Sequence, residues 1–198
     1  SRLAAGGPAH RLKPTVEYAV DTEGYALVAD VEVSGARPDD VYAIADTTLV
    51  NVGTDDHAER VGEDRFRLVA HSEHEERPPS KLVDTDGEPF EVAAAMTNVE
   101  GFAWASAFTA GDDDLRALFR DGDRKSANTE AAGNVVLAGL LGRGTTVTDT
   151  IAVGFAEHAD TAAALGEAEG ALTRGFESVT AAYVDTWREW LAGRSYPD

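Results

Sequence analysis

The region from Tyr18 to about Phe155 consists of short apolar stretches separated by turn-forming residues. In 25-YALVADVEV-33, Leu27 and Val31 alternate with acidic Asp30 and Glu32. A period of two is typical of a strand with one buried and one wet face. The same pattern predicts a strand at 41–46 and three hairpins: 58–71 about Gly62 to Asp64, 90–97 with 102–109, and 134–141 with 145–155. These strands predict a mainly β fold, an antiparallel two-sheet β-sandwich.

The periodicity changes at the end of the chain, where two helices are predicted. The first begins after Asp160, a good N-cap, and ends at Arg174 before Gly175. A shorter helix is predicted at 112–121, where acidic residues lie at the positive N-terminal end. We therefore divide the chain into a β-sandwich body, 1–156, and a helical tail, 157–198.

The second of the two closing helices, 175–193, carries the largest apolar side chains. Its apolar residues recur every three or four positions, which draws one stripe along the helix. Such a helix either completes the core of this domain or contacts a neighbouring one. The residues assigned to core or domain interface are Phe176, Tyr183, Trp187, Trp190 and Leu191.

Composition limits the class of partner. The chain has 198 residues, 36 of them acidic and 17 basic, with a net charge of -19. This charge repels nucleic acid and anionic membrane surfaces, so neither is expected as a partner. No apolar run approaches the roughly 20 residues of a membrane span. Many acids with only three lysines indicate a halophilic, soluble protein of a high-salt environment.

The chain ends and the absence of cysteine give little information about the compartment of the protein. The chain lacks cysteine, so it has no disulfides or thiolate metal sites. Residues 1–10 show no signal-peptide pattern and no starting Met, so a trimmed chain is expected and the compartment stays open.

Three acidic stretches are candidate metal sites. In 71-HSEHEE-76, His71 and His74 are three residues apart, with Glu73, Glu75 and Glu76 beside them. The stretch precedes Pro78 and Pro79, so a solvated loop end is favoured over a helical metal site. The runs 112-DDD-114 and 121-DGD-123 could bind calcium, but a solvated surface is again favoured in so acidic a chain. No cofactor is expected, with calcium as the alternative.

Aromatic side chains are the candidates for sugar stacking. Trp104 shares a predicted strand face with Phe102, Ser106 and Phe108, which favours a core position. Tyr18, Tyr25 and Tyr42 are less constrained and could lie on a sandwich edge. No nucleophile elbow, phosphate loop or dinucleotide fingerprint is present, and 36 acids are too many to choose a catalytic pair.

The closing run 171-ALTRGFESVTAAYVDTWREWL-191 resembles a known family. Its Ala-Leu, Gly-Phe, Tyr-x3-Trp and aromatic-Leu pairs are similar to the end of the N-terminal domain in bacterial and archaeal glucoamylases and glucodextranases, glycoside hydrolase family fifteen. The strand 152-AVGFA-156, the opening Gly133-Asn134-Val135 and the pair Asp114-Leu115 are similar to features upstream of those helices.

The resemblance implies a non-catalytic accessory β-sandwich whose last helices lead into an (α/α)6 catalytic barrel of the same parent chain. It implies that the parent is an inverting exo-hydrolase of α-glucans and that its catalytic glutamates lie in the barrel, so no catalytic residue is assigned here. The chain would be an inactive fragment, with little room before Tyr25 for the further strands usual in the family. The barrel and an α-glucan are the implied partners.

Two alternatives remain open. One is a self-standing carbohydrate-binding sandwich without an enzymatic partner. The other is a β-sandwich epimerase or mutarotase, in which His57, His71 or His74 would supply a base beside a carboxylate.

Overall fold

The computed structural model describes residues 12–47, 49, 56–72, 91–122 and 127–193, without the side chains of Arg37 and Asp121. Within them the chain is mainly β, as predicted, with eight strands in an antiparallel sheet and three helices. The strands are β1 Lys13–Val20, β2 Ala26–Thr47, β3 Asp56–Val61, β4 Arg67–Ser72, β5 Val92–Asn98, β6 Ala105–Thr109, β7 Glu130–Gly133 and β8 Val135–Glu157. The helices are α1 Asp113–Asp121, α2 Thr161–Arg174 and α3 Phe176–Ala192.

The two long strands β2 and β8 pair along almost their whole length. The register shifts between Ser34 and Asp39 and again between Val41 and Tyr42, which marks a bulge where the pair bends. The predicted separation of 25–33 from 41–46 is therefore wrong, and so is the predicted hairpin about Gly142 to Gly144. Gly142 and Gly144 lie opposite the bulge, so these turn-forming residues are at a bend within two paired strands and not in a hairpin loop.

The strand order is β1-β2-β8-β5-β4-β3-β7, with β6 paired to β8. The predicted β3–β4 hairpin is confirmed. The predicted hairpin between 90–97 and 102–109 is wrong, because β5 pairs with residues 151–157 of β8 whereas β6 pairs with residues 135–139. The sheet therefore has two layers that share β8: one contains β5 beside residues 151–157, and the other contains β6 beside residues 135–139. The chain between β5 and β6 crosses from one layer to the other.

The main core lies between these layers. Met96, which pairs with the second half of β8, shares a buried cluster with Leu137 of its first half. Phe102 lies in the same cluster, whereas Phe108 and the partly buried Trp104 pack with α1. The predicted common face of Phe102 and Trp104 is therefore wrong. An isolated bridge holds Phe102 opposite Phe66, and β6 begins only at Ala105.

Helix α2 packs on the outer face of the layer that contains β5, where Ala164 shares a buried cluster with Ala93 and Ala95. Its N-cap is confirmed, since Asp160 accepts a hydrogen bond from the Ala163 N–H at 2.9 Å. Gly154 of β8 allows the close approach, because a Cβ there would lie 2.2 Å from the Ala164 carbonyl oxygen. This helix provides the surface beside which α3 lies.

Candidate interdomain docking surface

The first half of α3 is anchored to the sheet. Val179 is 2% exposed and packs with Ala19 of β1 and Val28 of β2. Phe176 and Tyr183 are partly buried against the same cluster. This half of the stripe therefore completes the core, one of the two roles that the periodicity allows.

The second half of α3 carries an aromatic ladder, which we define as Tyr183, Trp187 and Trp190. The rings of Tyr183 and Trp187 meet edge to face with centroids 6.2 Å apart, and those of Trp187 and Trp190 at 5.3 Å. Trp187 is 47% exposed, and Trp190 and Leu191 are similarly exposed. Large apolar area thus continues along the helix for about 16 Å beyond Val179, at 1.5 Å per residue.

A groove between β1 and α3 borders this ladder. Glu17, Val184 and Arg188 are among its lining residues, and its volume is about 470 Å³. Arg188 Nη1 lies 3.1 Å from Asp185 Oδ1, so the groove ends in an exposed ion pair. Most residues that line the groove are polar or charged, so the apolar ladder has a polar surface beside it, and an apolar centre with a polar rim is the usual anatomy of a protein–protein interface.

A second, more polar pocket lies beside the β5–β6 connection and contains Asp149. Asn98 Nδ2 donates to Asp149 Oδ2 at 2.6 Å, and the Thr150 N–H donates to its other oxygen at 2.9 Å. Burial raises the pKa of Asp149, and the nearby charges of Glu100 and Asp30 add to this effect, whereas the two hydrogen bonds oppose it. Sequence reasoning missed this carboxyl because its partner Asn98 is 51 residues away.

Comparison with known proteins identifies the family of this chain. The family described as Glucodextranase, domain N, matches residues 2–192. The chain belongs to this family. The match extends well beyond the last third, on which the sequence resemblance mainly rested.

A solved structure has the same fold as this glucodextranase N-terminal domain. It is a bacterial glucoamylase complexed with acarbose, with a TM-score of 0.68, 14% sequence identity and coverage of 91% of this chain. The chain spans only 25% of the length of that glucoamylase. No curated protein matches the sequence.

The candidate metal residues of the domain have local structural roles where they are described. Asp112 caps α1 by accepting from the Asp114 N–H at 2.9 Å, and Asp113 pairs with Arg116. His71 stacks on His57 across β3 and β4, with ring centroids 5.7 Å apart. The described part of the chain contains no group of three His, Asp or Glu side chains placed to hold a metal. His74, Glu73, Glu75, Glu76 and Asp123 lie outside it.

The candidate sugar-stacking residues of the domain fall into two groups. Tyr42 meets Trp104 edge to face at 5.7 Å, and Trp104 packs with the α1 cluster, as a core position requires. Tyr18 and Tyr25 are instead 71% and 75% exposed. Among the helices within the described ranges, none is long and apolar enough to cross a membrane.

Proposed function

We propose that this chain is the non-catalytic accessory domain of an exo-acting α-glucan hydrolase and that α3 docks it against the catalytic domain of the parent chain. The observation that carries the proposal is the division of α3: Val179 is fixed in the core, while Trp187, Trp190 and Leu191 present apolar area to solvent. The proposal retains the division into a sandwich, 1–156, and a helical tail, 157–198.

The ladder has the chemistry of an interface. Tryptophan is enriched among the residues that dominate binding energy, because its large ring buries much apolar area with few rotatable bonds. Burial stabilises by about 25 cal/mol per Å² of apolar surface, so a partner domain over these rings would gain appreciable free energy. The rigid anchoring of Val179 limits the ordering cost of such a contact.

The catalytic chemistry is assigned to the partner domain. Inverting hydrolysis of a glycoside needs two carboxyl groups about 6.5–9.5 Å apart, with a water molecule between the base and the sugar. The family resemblance assigns these groups to the barrel. This chain is therefore proposed to be inactive alone, to support the barrel and to contact the α-glucan that the barrel cleaves at non-reducing ends.

The test uses the parent chain, read from its gene on both sides of this segment. We expect a downstream domain that hydrolyses an α-glucan. In that parent, changing both Trp187 and Trp190 to Ala should separate the unfolding of the two domains in calorimetry and speed proteolysis between them.

The matched control is Phe119→Ala, which removes an exposed aromatic of α1 and should leave interdomain behaviour unchanged. A parent without a hydrolase domain would refute the proposal. So would a double tryptophan variant with the calorimetric trace and proteolysis rate of the unsubstituted parent.

The second candidate is a self-standing carbohydrate-binding module, favoured by the exposure of Tyr18 and Tyr25. This candidate differs from the accessory-domain proposal in one measurable respect: the chain must bind glucan although no catalytic domain is encoded in the same reading frame. Finding such a domain would exclude it.

A further inference from the structure

The two faces of β1 carry different surfaces. Ala19 is 1% exposed and lies in the cluster formed with Val179 of α3. Side chains alternate along a strand, so Tyr18 and Val20 point to the opposite face. Tyr18 therefore lies on the face of β1 opposite the one that α3 covers.

An apolar patch covers that opposite face, and we call it the tyrosine face. Val20 pairs directly with Leu27, and Tyr18 pairs with Ala29. At the end of the sheet, the Phe155 N–H donates to the Tyr25 carbonyl oxygen at 2.8 Å, which continues the register and places these two side chains on the same face. The exposed members of the tyrosine face are Val16, Tyr18, Val20, Tyr25, Leu27 and Phe155. A contiguous exposed patch of this kind marks a binding surface.

We propose that the tyrosine face binds a neutral glucan, whose sugar rings stack on Tyr18 and Tyr25. The inference rests on the proposed function, since it names the surface by which the accessory domain would contact the α-glucan. Each pyranose ring has a face of C–H groups and a rim of hydroxyls. Each tyrosine has an apolar ring and a phenolic hydroxyl that makes hydrogen bonds, so the two are complementary.

The separation of the tyrosines favours a polymer over a single sugar. Tyr18 lies opposite Ala29, which is four residues along β2 from Tyr25. At about 3.3 Å per residue, the backbone positions that carry the two rings are offset by about 13 Å along the strand direction. That distance exceeds one sugar ring, so one chain of several units would contact both rings.

At low salt, charge disfavours the charged competitors for this patch. The chain carries a net charge of -19, so nucleic acid and anionic membranes are repelled. A second copy carries the same charge and is repelled as well. A neutral polysaccharide has no such penalty, and its affinity should persist when salt is raised.

The experiment titrates the chain with maltodextrin and with dextran by isothermal calorimetry, at low and at high salt. The double variant Tyr18→Ala, Tyr25→Ala should bind about tenfold more weakly or lose binding, because two stacking contacts are removed. The variant Tyr18→Phe, Tyr25→Phe keeps both rings and should bind nearly as the unsubstituted chain does.

The variant with Trp187 and Trp190 changed to Ala should keep full glucan affinity. This variant distinguishes glucan binding from docking, because the loss of the two tryptophans is expected to change only the contact between domains in the parent chain. Thermal unfolding of every variant is the control that tests whether the altered chains are still folded.

Three results would overturn the inference. The unsubstituted chain could fail to bind either glucan while docking through α3 holds. The folded double-alanine variant could bind as tightly as the unsubstituted chain. Sedimentation could instead show a dimer that the double-alanine change abolishes, which would make the tyrosine face a contact between two copies.

Discussion

Arg174, the last residue of α2, donates a hydrogen bond to the carboxylate of Asp21 in the turn between β1 and β2. The Asp21 side chain is 2% exposed, and that of Arg174 is 32% exposed. Glu167 of the same helix accepts from the Tyr25 N–H at 3.0 Å, which ties the other end of the turn to α2. These contacts fix the strand pair β1–β2 to α2, and both the aromatic ladder on α3 and the tyrosine face lie next to this pair.

Removing the guanidinium of this pair should destabilise the fold. Arg174→Ala leaves the buried Asp21 carboxylate without its cation, and breaking such a pair costs about 3–5 kcal/mol when both partners are buried. Since Arg174 is one-third exposed, we expect a loss near the lower value, measured by urea unfolding.

The control for this change is Arg188→Ala, whose partner Asp185 is exposed, and it should cost less than about 1 kcal/mol. Equal losses in the two variants would show that Asp21 and Arg174 do not form an anchoring pair.

The helices and the fold class were predictable from local patterns. Asp112 and Asp160 accept hydrogen bonds from backbone N–H groups at the starts of α1 and α2, so the N-cap signal had a direct physical basis. Short continuous apolar runs also located β4 and β5, because both faces of these strands are buried, one in the main core and the other beneath α2. The family resemblance, rather than periodicity, identified the family to which this domain belongs.

The strand connections were not predictable, because Gly and Pro mark both turns and bends. Gly142 lies opposite Val41 in a continuous pair of strands, although local sequence there is typical of a hairpin. The Asp149–Asn98 pair and the tyrosine face each join residues from distant strands. The sequence did single out Tyr18 and Tyr25 as candidate edge residues, but only the register brings Tyr25 beside Phe155. The extent of the tyrosine face and the Asp149–Asn98 pair therefore have no local signal.

The contact between Gly154 and α2 provides a test of the helix–sheet packing. In Gly154→Ala the new Cβ would lie 2.2 Å from the Ala164 carbonyl oxygen and 2.5 Å from the Ala168 nitrogen. Backbone atoms cannot rotate away, so we expect destabilisation by about 1–3 kcal/mol or more in thermal unfolding.

Gly166→Ala is the matched control, because a Cβ there meets nothing within 4 Å on the exposed side of α2. It should stabilise the domain by about 0.8–1 kcal/mol through helix propensity. A neutral or stabilising Gly154→Ala would contradict the close packing.

The raised pKa of Asp149 predicts a pH dependence with a defined sign. Because burial raises its pKa above the ordinary value of 3.8, the folded state binds this proton more tightly than the unfolded state does. Ionisation of Asp149 therefore lowers the free energy of unfolding as pH rises from 3.8 through the folded pKa.

The variant Asp149→Asn should melt at a higher temperature than the unsubstituted chain at pH 7. The amide oxygen can still accept from Asn98 or Thr150, while the buried charge is lost. The advantage should shrink as pH falls towards 3.8. An advantage that is constant with pH would mean that the charge of Asp149 is not responsible.

The two halves of α3 should respond differently to truncation in the chain by itself. Val179→Ala removes a fully buried side chain, so we expect a loss of about 1.5–3 kcal/mol. Trp187→Ala removes a ring that is nearly half exposed and should cost less per atom removed. Chemical unfolding measures both, and an equal or larger loss per atom removed for Trp187→Ala would place that ring in the core of this domain rather than at an interface.

Like charges that face each other across strands are a feature that the predicted high-salt environment would favour. Glu17 pairs with Asp30 across β1 and β2, and exposed Glu59 pairs with exposed Glu130 across β3 and β7. Such pairs destabilise a sheet in dilute buffer, and salt weakens the repulsion by shortening the screening length from about 10 Å at 0.1 M to about 3 Å at 1 M.

Glu59→Lys should therefore stabilise the domain by about 0.2–1 kcal/mol at low salt, because it replaces repulsion from Glu130 with attraction. The gain should fade as sodium chloride is raised to about 1 M, where screening removes both the repulsion and the attraction. Glu63→Lys, in the exposed turn between β3 and β4, changes the net charge equally without creating this pair. Melting temperatures across a salt series compare the two. Equal salt dependence in the two variants would mean that net charge, rather than the facing glutamates, sets the salt response. If the melting temperature of the unsubstituted chain did not change with salt, the predicted adaptation to high salt would be contradicted.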